Sequence, residues 1–176
     1  MTVAELLADE FERVRDALYP AVNGLSPDQL TETPAEGSNS IAWLAWHLTR
    51  IQDRVVSSLA GQPQVWTANG WSARFSLDLD DADTGYGHDA STARRVTASA
   101  AALLDYFEDV HRRTVSWVGS LDDATLAEIV DEASVPPATV GSRLVDALVD
   151  DLQHVGQAAY VRGLLQRRRD DPPPRG

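Results

Sequence analysis

The chain has 176 residues, of which 43% are apolar and 24% are charged, and this length fits one domain that buries its own core. A formal net charge of -12 argues against nucleic-acid binding by phosphate neutralisation. No run of about 18 apolar residues is present, which argues against a membrane span. Because the chain has no cysteine and its 15 basic residues are all arginine, disulfides, cysteine nucleophiles and Schiff-base lysines are excluded.

The N-terminal segment predicts an amphipathic helix rather than a secretory signal. Thr2 followed by Glu5 is a capping box, and apolar residues then recur at helical spacing as far as Tyr19. We expect Pro20 to end this helix and Ser26, which precedes a proline, to cap a short second one. Acidic residues lie early in the chain and no small-residue cleavage site follows them, so we expect a cytoplasmic protein.

The middle of the chain predicts two more long helices joined by a long connection. One helix runs from the polar residues 37–40 to about Ala60, with apolar residues three and four positions apart. The segment 62–89 breaks this pattern and is rich in Asp, Gly and Trp. A connection of this length is typical of a lid or a crossover. The next helix is predicted from about Ser91 to Val118.

A fourth long helix is predicted from about Thr139 to Arg168. Residues 169–176 are charged and rich in proline, and we expect a disordered tail there. No long period-two pattern indicates a sheet, although short strands are compatible with residues 67–79 or 129–135. The sequence therefore predicts an all-α fold, a four-helix bundle with one long crossover between helices two and three, as a single domain over residues 1–168.

His47 is the first candidate functional residue. It lies at the edge of the apolar stripe of the second long helix, in one row with Trp43, Ile51 and Arg54. A ligand that faces a cleft between helices occupies such a position. An amphipathic histidine that packs its ring and solvates a nitrogen occupies the same position, so both interpretations stay open.

A polar row on the fourth long helix contains Asp146, Asp150, His154 and Gln157. Asp150 and His154 are four residues apart and are able to bind one ion from adjacent turns. The alternative is a solvated helix face. Apolar residues, Val145 and Val149 among them, cover most of the remaining circumference, and this favours burial of more than one face.

His111 lies in the middle of the apolar stripe of the third long helix. A buried imidazole needs a partner, which is a carboxylate, a carbonyl or a metal ion. We therefore keep His111 as an additional candidate ligand.

Two segments, residues 43–61 (WLAWHLTRIQDRVVSSLAG) and 148–165 (LVDDLQHVGQAAYVRGLL), resemble the DinB/YfiT-like superfamily of bacterial four-helix proteins. This superfamily includes the mycothiol-dependent maleylpyruvate isomerase type. The resemblance implies a bundle whose cleft holds a divalent metal, most often zinc or nickel. In the family, one histidine on helix two joins two on helix four in H-x-x-x-H spacing. His47 and His154 match the outer two positions, whereas Asp150 replaces the middle histidine.

The resemblance also implies a function. Characterised relatives are transferases or isomerases that use a small thiol such as mycothiol, and a chain without cysteine needs such an imported thiol. We expect a small-molecule substrate, with Arg54 or Arg162 binding a carboxylate and with Gln157 and Tyr160 supplying supporting hydrogen bonds. A homodimer is expected by analogy. The alternatives are a metal-free helical binding or stress-response module and a metal-dependent hydrolase that activates water.

Overall fold

A computed structural model describes residues 1–170. In chain order its elements are α1 (Val3–Val22), α2 (Pro27–Thr31), α3 (Ile41–Leu59), α4 (Val65–Ala68), α5 (Trp71–Phe75), α6 (Ala90–Ala93), α7 (Ala100–Val118), α8 (Asp123–Leu126), β1 (Ile129–Asp131), β2 (Ala138–Thr139) and α9 (Val140–Asp170). The long helices α1, α3, α7 and α9 form the bundle. The predicted all-α four-helix bundle, with a long crossover between its second and third long helices, is confirmed.

The four long helices form a ring in which each packs against two neighbours. Both α1 and α3 pack against α7 and α9, so α1 lies diagonally opposite α3. The α3 and α9 helices run antiparallel: His47 faces Asp150, whereas Arg54, further along α3, shares a cavity with Arg143, which precedes Asp150 in α9. The predicted histidine site spans this contact between the second and fourth long helices.

The core lies between these four helices. Phe11, Leu48, Phe107 and Leu144, one from each helix, are fully buried. The expectation that α9 is buried on more than one face is wrong for Val145 and Val149, which are 47% and 46% exposed. The α9 helix packs against α1 and α3 on its inner side, and its outer apolar residues have no facing helix among the described residues.

The crossover from α3 to α7 contains three short helices and packs onto the bundle. Trp66 and Trp71 are buried, and Trp66 lies edge-on to Trp46 of α3 and against Tyr106 of α7. Burial of these large aromatic side chains stabilises a segment that consists of short helices and turns. The crossover is therefore an ordered cover along α3 and α7.

Three local predictions differ from the structure. The α1 helix continues past Pro20 to Val22, because Ala21 and Val22 are buried in the core and stabilise the last turn. The third long helix begins at Ala100 rather than near Ser91, because the Ser99 hydroxyl caps it by accepting from the Ala102 amide. Of the two regions compatible with strands, residues 129–131 form one and residues 67–79 do not.

The long α9 helix ends the part of the chain that the structure describes. Its last two residues, 169 and 170, belong to the predicted tail, and residues 171–176 of that tail lie outside the described residues. No helix among residues 1–170 combines the length and the apolar character that a membrane crossing requires.

Candidate metal centre

Three predicted ligands meet where α3 packs against α9. His47, Asp150 and His154 each direct one ligand atom to a common point, and these atoms lie within 4.8 Å of one another. The Asp150 Oδ1 atom is 3.8 Å from His47 Nε2 and 3.6 Å from His154 Nε2. These distances are too long for hydrogen bonds, so the donor atoms surround a shared position without satisfying one another.

The other ring nitrogen of each histidine already has a hydrogen-bond partner. His47 Nδ1 donates to the carbonyl oxygen of Thr84 at 2.5 Å, and His154 Nδ1 donates to Gln157 Oε1 at 3.0 Å. A proton on Nδ1 leaves the Nε2 lone pair of each ring free for a metal ion. Both Nε2 atoms are those that approach Asp150.

Asp150 has an uncompensated oxygen. Its Oδ2 atom is buried and has no hydrogen-bond partner within residues 1–170. A buried carboxylate oxygen without a partner is costly, and a cation removes that cost. Two imidazole Nε2 atoms and one carboxylate, with a free acceptor on the carboxylate, therefore fit a divalent metal ion.

Aromatic packing fixes the orientation of both rings. The Trp43 indole stacks on His47 with centroids 4.6 Å apart and lies edge-on to His154 at 5.9 Å. Trp43 precedes His47 by four residues, so helical spacing alone places the two rings on one face. His47 is buried, whereas the side chain of Asp150 is 29% exposed, so the centre is open from the α9 side.

Gly85 lets the crossover approach His47 closely. It has φ +88°, and a Cβ atom there lies 2.8 Å from His47 Nδ1 and close to Trp43 and Trp46. A side chain at this position both strains the backbone and displaces the peptide that bonds to His47. The Thr84 carbonyl reaches the imidazole only because residue 85 is glycine.

A buried polar network holds the crossover in place. Arg50 is fully buried and donates to the carbonyls of Asp83 and Asp81 at 3.1 and 3.0 Å and to Gln64 Oε1 at 2.7 Å. Asp83 immediately precedes Thr84 in the chain, and Asp81 lies three residues before it. Arg50 therefore fixes the backbone whose next carbonyl orients His47.

Asp53 is the centre of the same network. Its carboxylate accepts from the amides of Val65 and Trp66, both at 2.8 Å, and from the Tyr106 hydroxyl at 3.0 Å. Burial raises the pKa of Tyr106 well above its ordinary value, and the negative charge of Asp53 adds to this effect. Tyr106 is therefore a neutral donor that ties α7 to α3.

His88 forms a second anchor beside the centre. Its Nε2 lies 2.9 Å from Asp83 Oδ2, and its Nδ1 accepts from the Trp43 indole at 3.2 Å. Burial raises the pKa of Asp83, but hydrogen bonds from the Gly85 amide and the His88 ring outweigh it and hold this pKa below its ordinary value. Asp83 is thus an anion that orients the turn around Gly85.

Asp151, the residue after Asp150, faces the core. It is fully buried, and neither carboxylate oxygen has a hydrogen-bond partner within the described chain. Burial, and after it the charge of Asp150, raises the pKa of Asp151 well above its ordinary value. Asp151 faces away from the cluster of His47, Asp150 and His154 and is not counted among its ligands.

The other predicted site residues lie elsewhere. His111 is at the contact of α7 with α1, stacked on Phe107 and 3.2 Å from Glu12, so the structure does not bring it to the His47 cluster. Arg162 donates to the carbonyl of Asn23 and lines a different cavity.

Tyr160, Gln157 and Arg54 complete the set of predicted residues. Tyr160 is 64% exposed and makes no hydrogen bond within residues 1–170. Gln157 contacts His154 as described above. Arg54 lines a cavity between α3 and α9.

Several residues of the centre escaped the sequence analysis. Thr84 contributes only a backbone carbonyl, which no side-chain pattern reveals. Arg50 and Asp53 were assigned to no role, although their positions on a helix that faces the long crossover are a signal that was available. Gly85 carries no side chain that a pattern search would single out, and its role here depends on that missing side chain.

Comparisons with known proteins agree with this architecture. A family model described as the DinB superfamily matches residues 10–158. The crystal structure of a conserved protein from Enterococcus faecalis superposes with a TM-score of 0.89, at 28% sequence identity over 95% of this chain and 99% of that chain. A search of curated proteins gave no match.

Proposed function

The chain belongs to the DinB superfamily, and we propose that it is a metal-dependent enzyme of this family whose divalent ion is held by His47, Asp150 and His154. The single observation that carries the proposal is the convergence of three ligand atoms within 4.8 Å, with both histidines oriented through Nδ1. Three protein ligands are the number typical of catalytic zinc sites, which keep a further position for water or substrate.

The donor set favours zinc or nickel. Imidazole nitrogen suits both ions, and a carboxylate in place of a third imidazole shifts the preference towards harder ions. When bound, such an ion lowers the pKa of a thiol that coordinates it and so supplies a nucleophile at neutral pH. The chain has no cysteine, so the thiol is a small-molecule cosubstrate of the mycothiol type.

The reaction that we propose is transfer to, or isomerisation of, a small electrophile. In a transfer, the thiol sulfur forms a bond to an electrophilic carbon, the leaving group departs with its bonding electron pair, and the thiol proton passes to solvent. The Thr84 carbonyl and Gln157 Oε1 accept from the Nδ1 atoms of His47 and His154 and so orient both rings with Nε2 towards the site. Trp43 excludes water from one side of the site through its stack on His47.

Metal content tests the proposal. Inductively coupled plasma mass spectrometry of the untagged protein, after incubation with zinc or nickel and gel filtration, is expected to give near one equivalent of metal. The double variant His47→Ala/His154→Ala is expected to lose it. The variant His111→Gln removes an imidazole outside the cluster and is expected to keep it. An absence of bound metal in the parent overturns the proposal and leaves the metal-free binding module.

A second measurement separates transfer from hydrolysis. The metal-loaded protein is expected to consume a thiol in the presence of an electrophile such as a haloalkane or a maleyl compound. It is expected to leave simple esters and amides intact. Ester cleavage without a thiol requirement favours the hydrolase instead.

A further inference from the structure

A cavity lies between α3 and α9, the same two helices that carry the candidate metal centre. It occupies about 470 Å³ between the C-terminal half of α3, the N-terminal part of α9 and β1. Arg54 and Ser58 line it from α3 and Arg143 lines it from α9. Because α3 and α9 are antiparallel, this cavity lies on one side of the metal ligands along both helices at once.

The helical register fixes the distance between the two arginines and the candidate metal ligands along α3 and α9. Arg54 follows His47 by seven residues and Arg143 precedes Asp150 by seven residues. Seven residues are close to two helical turns, so each arginine lies on the same face as its ligand and about 10 Å along the helix axis. The contact between α3 and α9 therefore places the candidate metal ligands and the two arginines about 10 Å apart along the helices.

Arg54 is the available cation in this cavity. It is exposed and makes no hydrogen bond or ion pair with any residue in the part of the chain that the structure describes. Arg143 instead bonds to Asp131 at 2.7 Å and lies 3.5 Å from Asp146, and these two carboxylates fix its guanidinium. In a chain of net charge -12, an uncompensated arginine in a concave groove favours one anionic group.

The remaining lining suits an aliphatic chain with a polar end. Val55, Leu59 and Val130 contribute apolar surface, and the Ser58 hydroxyl is a donor one helical turn from Arg54. Asp131 also lines the cavity, but its carboxylate is paired with Arg143 at 2.7 Å. Arginine binds a carboxylate through two parallel hydrogen bonds, which a hydroxyl then supplements. This combination selects a single carboxylate rather than a polyanion.

We propose that this cavity, through Arg54 and Ser58, binds a carboxylate carried about 10 Å from the substrate atom that meets the metal centre. The substrate class is an elongated thiol or thiol conjugate with one anionic end. This inference rests on the proposed function for the identity of the other end, but the carboxylate subsite is testable without a metal.

The first test uses thiols of matched length on the cobalt-substituted protein. Mercaptooctanoate and mercaptooctanol, each with the sulfur at the end opposite the oxygen, are titrated against the thiolate-to-cobalt charge-transfer band. The carboxylate is expected to bind at least tenfold more tightly than the alcohol, since a charge-assisted hydrogen-bond pair is lost in the alcohol. Mercaptoacetate, too short to span the groove, is expected to show no effect of Arg54.

Two variants, each of which removes one positive charge, test whether the preference for the carboxylate depends on Arg54. Arg54→Gln is expected to abolish the preference for the carboxylate and to leave the affinity for mercaptooctanol unchanged. Arg94→Gln, at an exposed position of the crossover outside this cavity, is expected to keep the full preference. Equal binding of carboxylate and alcohol by the parent, or a preference that survives in Arg54→Gln, overturns the subsite.

A metal-free arm separates failure of the subsite from failure of the metal site. Octanoate is titrated into the protein without metal while the arginine Nε–Hε resonances are followed by nuclear magnetic resonance. The Arg54 signal is expected to shift and to saturate, and the Arg94 signal is not. An unmoved Arg54 signal overturns the subsite whether or not the protein binds metal.

Discussion

Gly85 has no side chain, and this absence lets the Thr84 carbonyl bond to His47 and orient its imidazole ring. In Gly85→Ala the new Cβ lies 2.8 Å from His47 Nδ1, so the Thr84 carbonyl has to move away. Removal of such a supporting bond is expected to weaken nickel binding by about 10–100-fold. Competition titration against a chromogenic chelator measures the affinity.

Gly87 provides the matched control for this prediction. Its φ is +77°, so an alanine there carries comparable backbone strain, but a Cβ meets no atom within 4 Å. Gly87→Ala is expected to lose stability without losing nickel affinity. Long-range proton–nitrogen spectra report which ring nitrogen of His47 carries the proton. We expect the proton on Nδ1 in the parent and in Gly87→Ala, which shows that the nickel affinity follows the orientation of this ring. Equal affinities in the two variants contradict the role assigned to Gly85.

Asp83 gives the anchor beside the centre a defined pH dependence. Its folded pKa lies below the ordinary value, so the folded protein holds this proton less tightly than the unfolded chain does. The stabilisation is present above the ordinary carboxyl pKa of about 4 and is lost as the pH falls through the folded pKa. Asp83→Asn is expected to be about 1 kcal/mol less stable than the parent at neutral pH.

Urea unfolding at several pH values tests this expectation. The difference between parent and Asp83→Asn is expected to be constant at neutral pH and to shrink as the pH falls below about 4. Asp105→Asn, at an exposed position of α7 that makes no ion pair within residues 1–170, is expected to differ little from the parent throughout. A difference for Asp83 that does not change with pH contradicts the assignment.

Among the elements, α3 connects the metal centre to the crossover. One side of it presents His47 to α9, and Arg50 and Asp53 hold the segment from Gln64 to Thr84. Asp53→Ala removes the acceptor for two backbone amides and leaves the buried Arg50 uncompensated. This change is expected to cost about 3–5 kcal/mol in free energy of unfolding.

Chemical denaturation and proteolysis measure that cost. The exposed substitution Asp105→Ala is expected to change the free energy of unfolding by no more than about 0.5 kcal/mol. Limited proteolysis of Asp53→Ala is expected to cleave first in the crossover, because its short helices lose their attachment to α3. A loss of stability as small as that of the control contradicts a central role for Asp53.

Local signals predicted the long helices, whereas the crossover depends on contacts distant in sequence. The caps at Thr2 and Ser26 and the spacing of the apolar residues located the helices that they precede. Ser99, which has no glutamate or glutamine three residues later, was overlooked as a cap. The short helices around Trp66 and Trp71 form because those aromatic side chains are buried against α7. The spacing of apolar residues along the chain does not predict this burial.

The candidate site was predictable to the same extent. His47, Asp150 and His154 were placed together by helical spacing and by family resemblance, and the structure brings their ligand atoms together. The carbonyl of Thr84, the glycine at 85 and the cavity at Arg54 required the path of the crossover and the register of α3 against α9. Those features arise from tertiary packing, so the sequence of a single helix does not predict them.

At the scale of the whole molecule, the metal centre links two helices that are distant in the chain. An ion bound only by the folded protein is expected to stabilise it by about 2.7 kcal/mol at a free metal concentration 100 times the dissociation constant. Thermal unfolding with and without nickel, under chelator control, measures this shift. His154→Ala is expected to lose the response and His111→Gln to retain it. If nickel does not change the unfolding temperature of the parent, the proposed metal site is contradicted.

The position of the ligands in the chain also orders events during biosynthesis. His47 is made before Asp150 and His154, and it gains these two partners only when α9 has emerged and docked against α3. A nascent chain halted anywhere before residue 150 contains only His47 of the three proposed ligands. Under the proposed function, this centre therefore acquires its metal only after residue 154 has been made, so a shorter nascent chain does not bind an ion at this position.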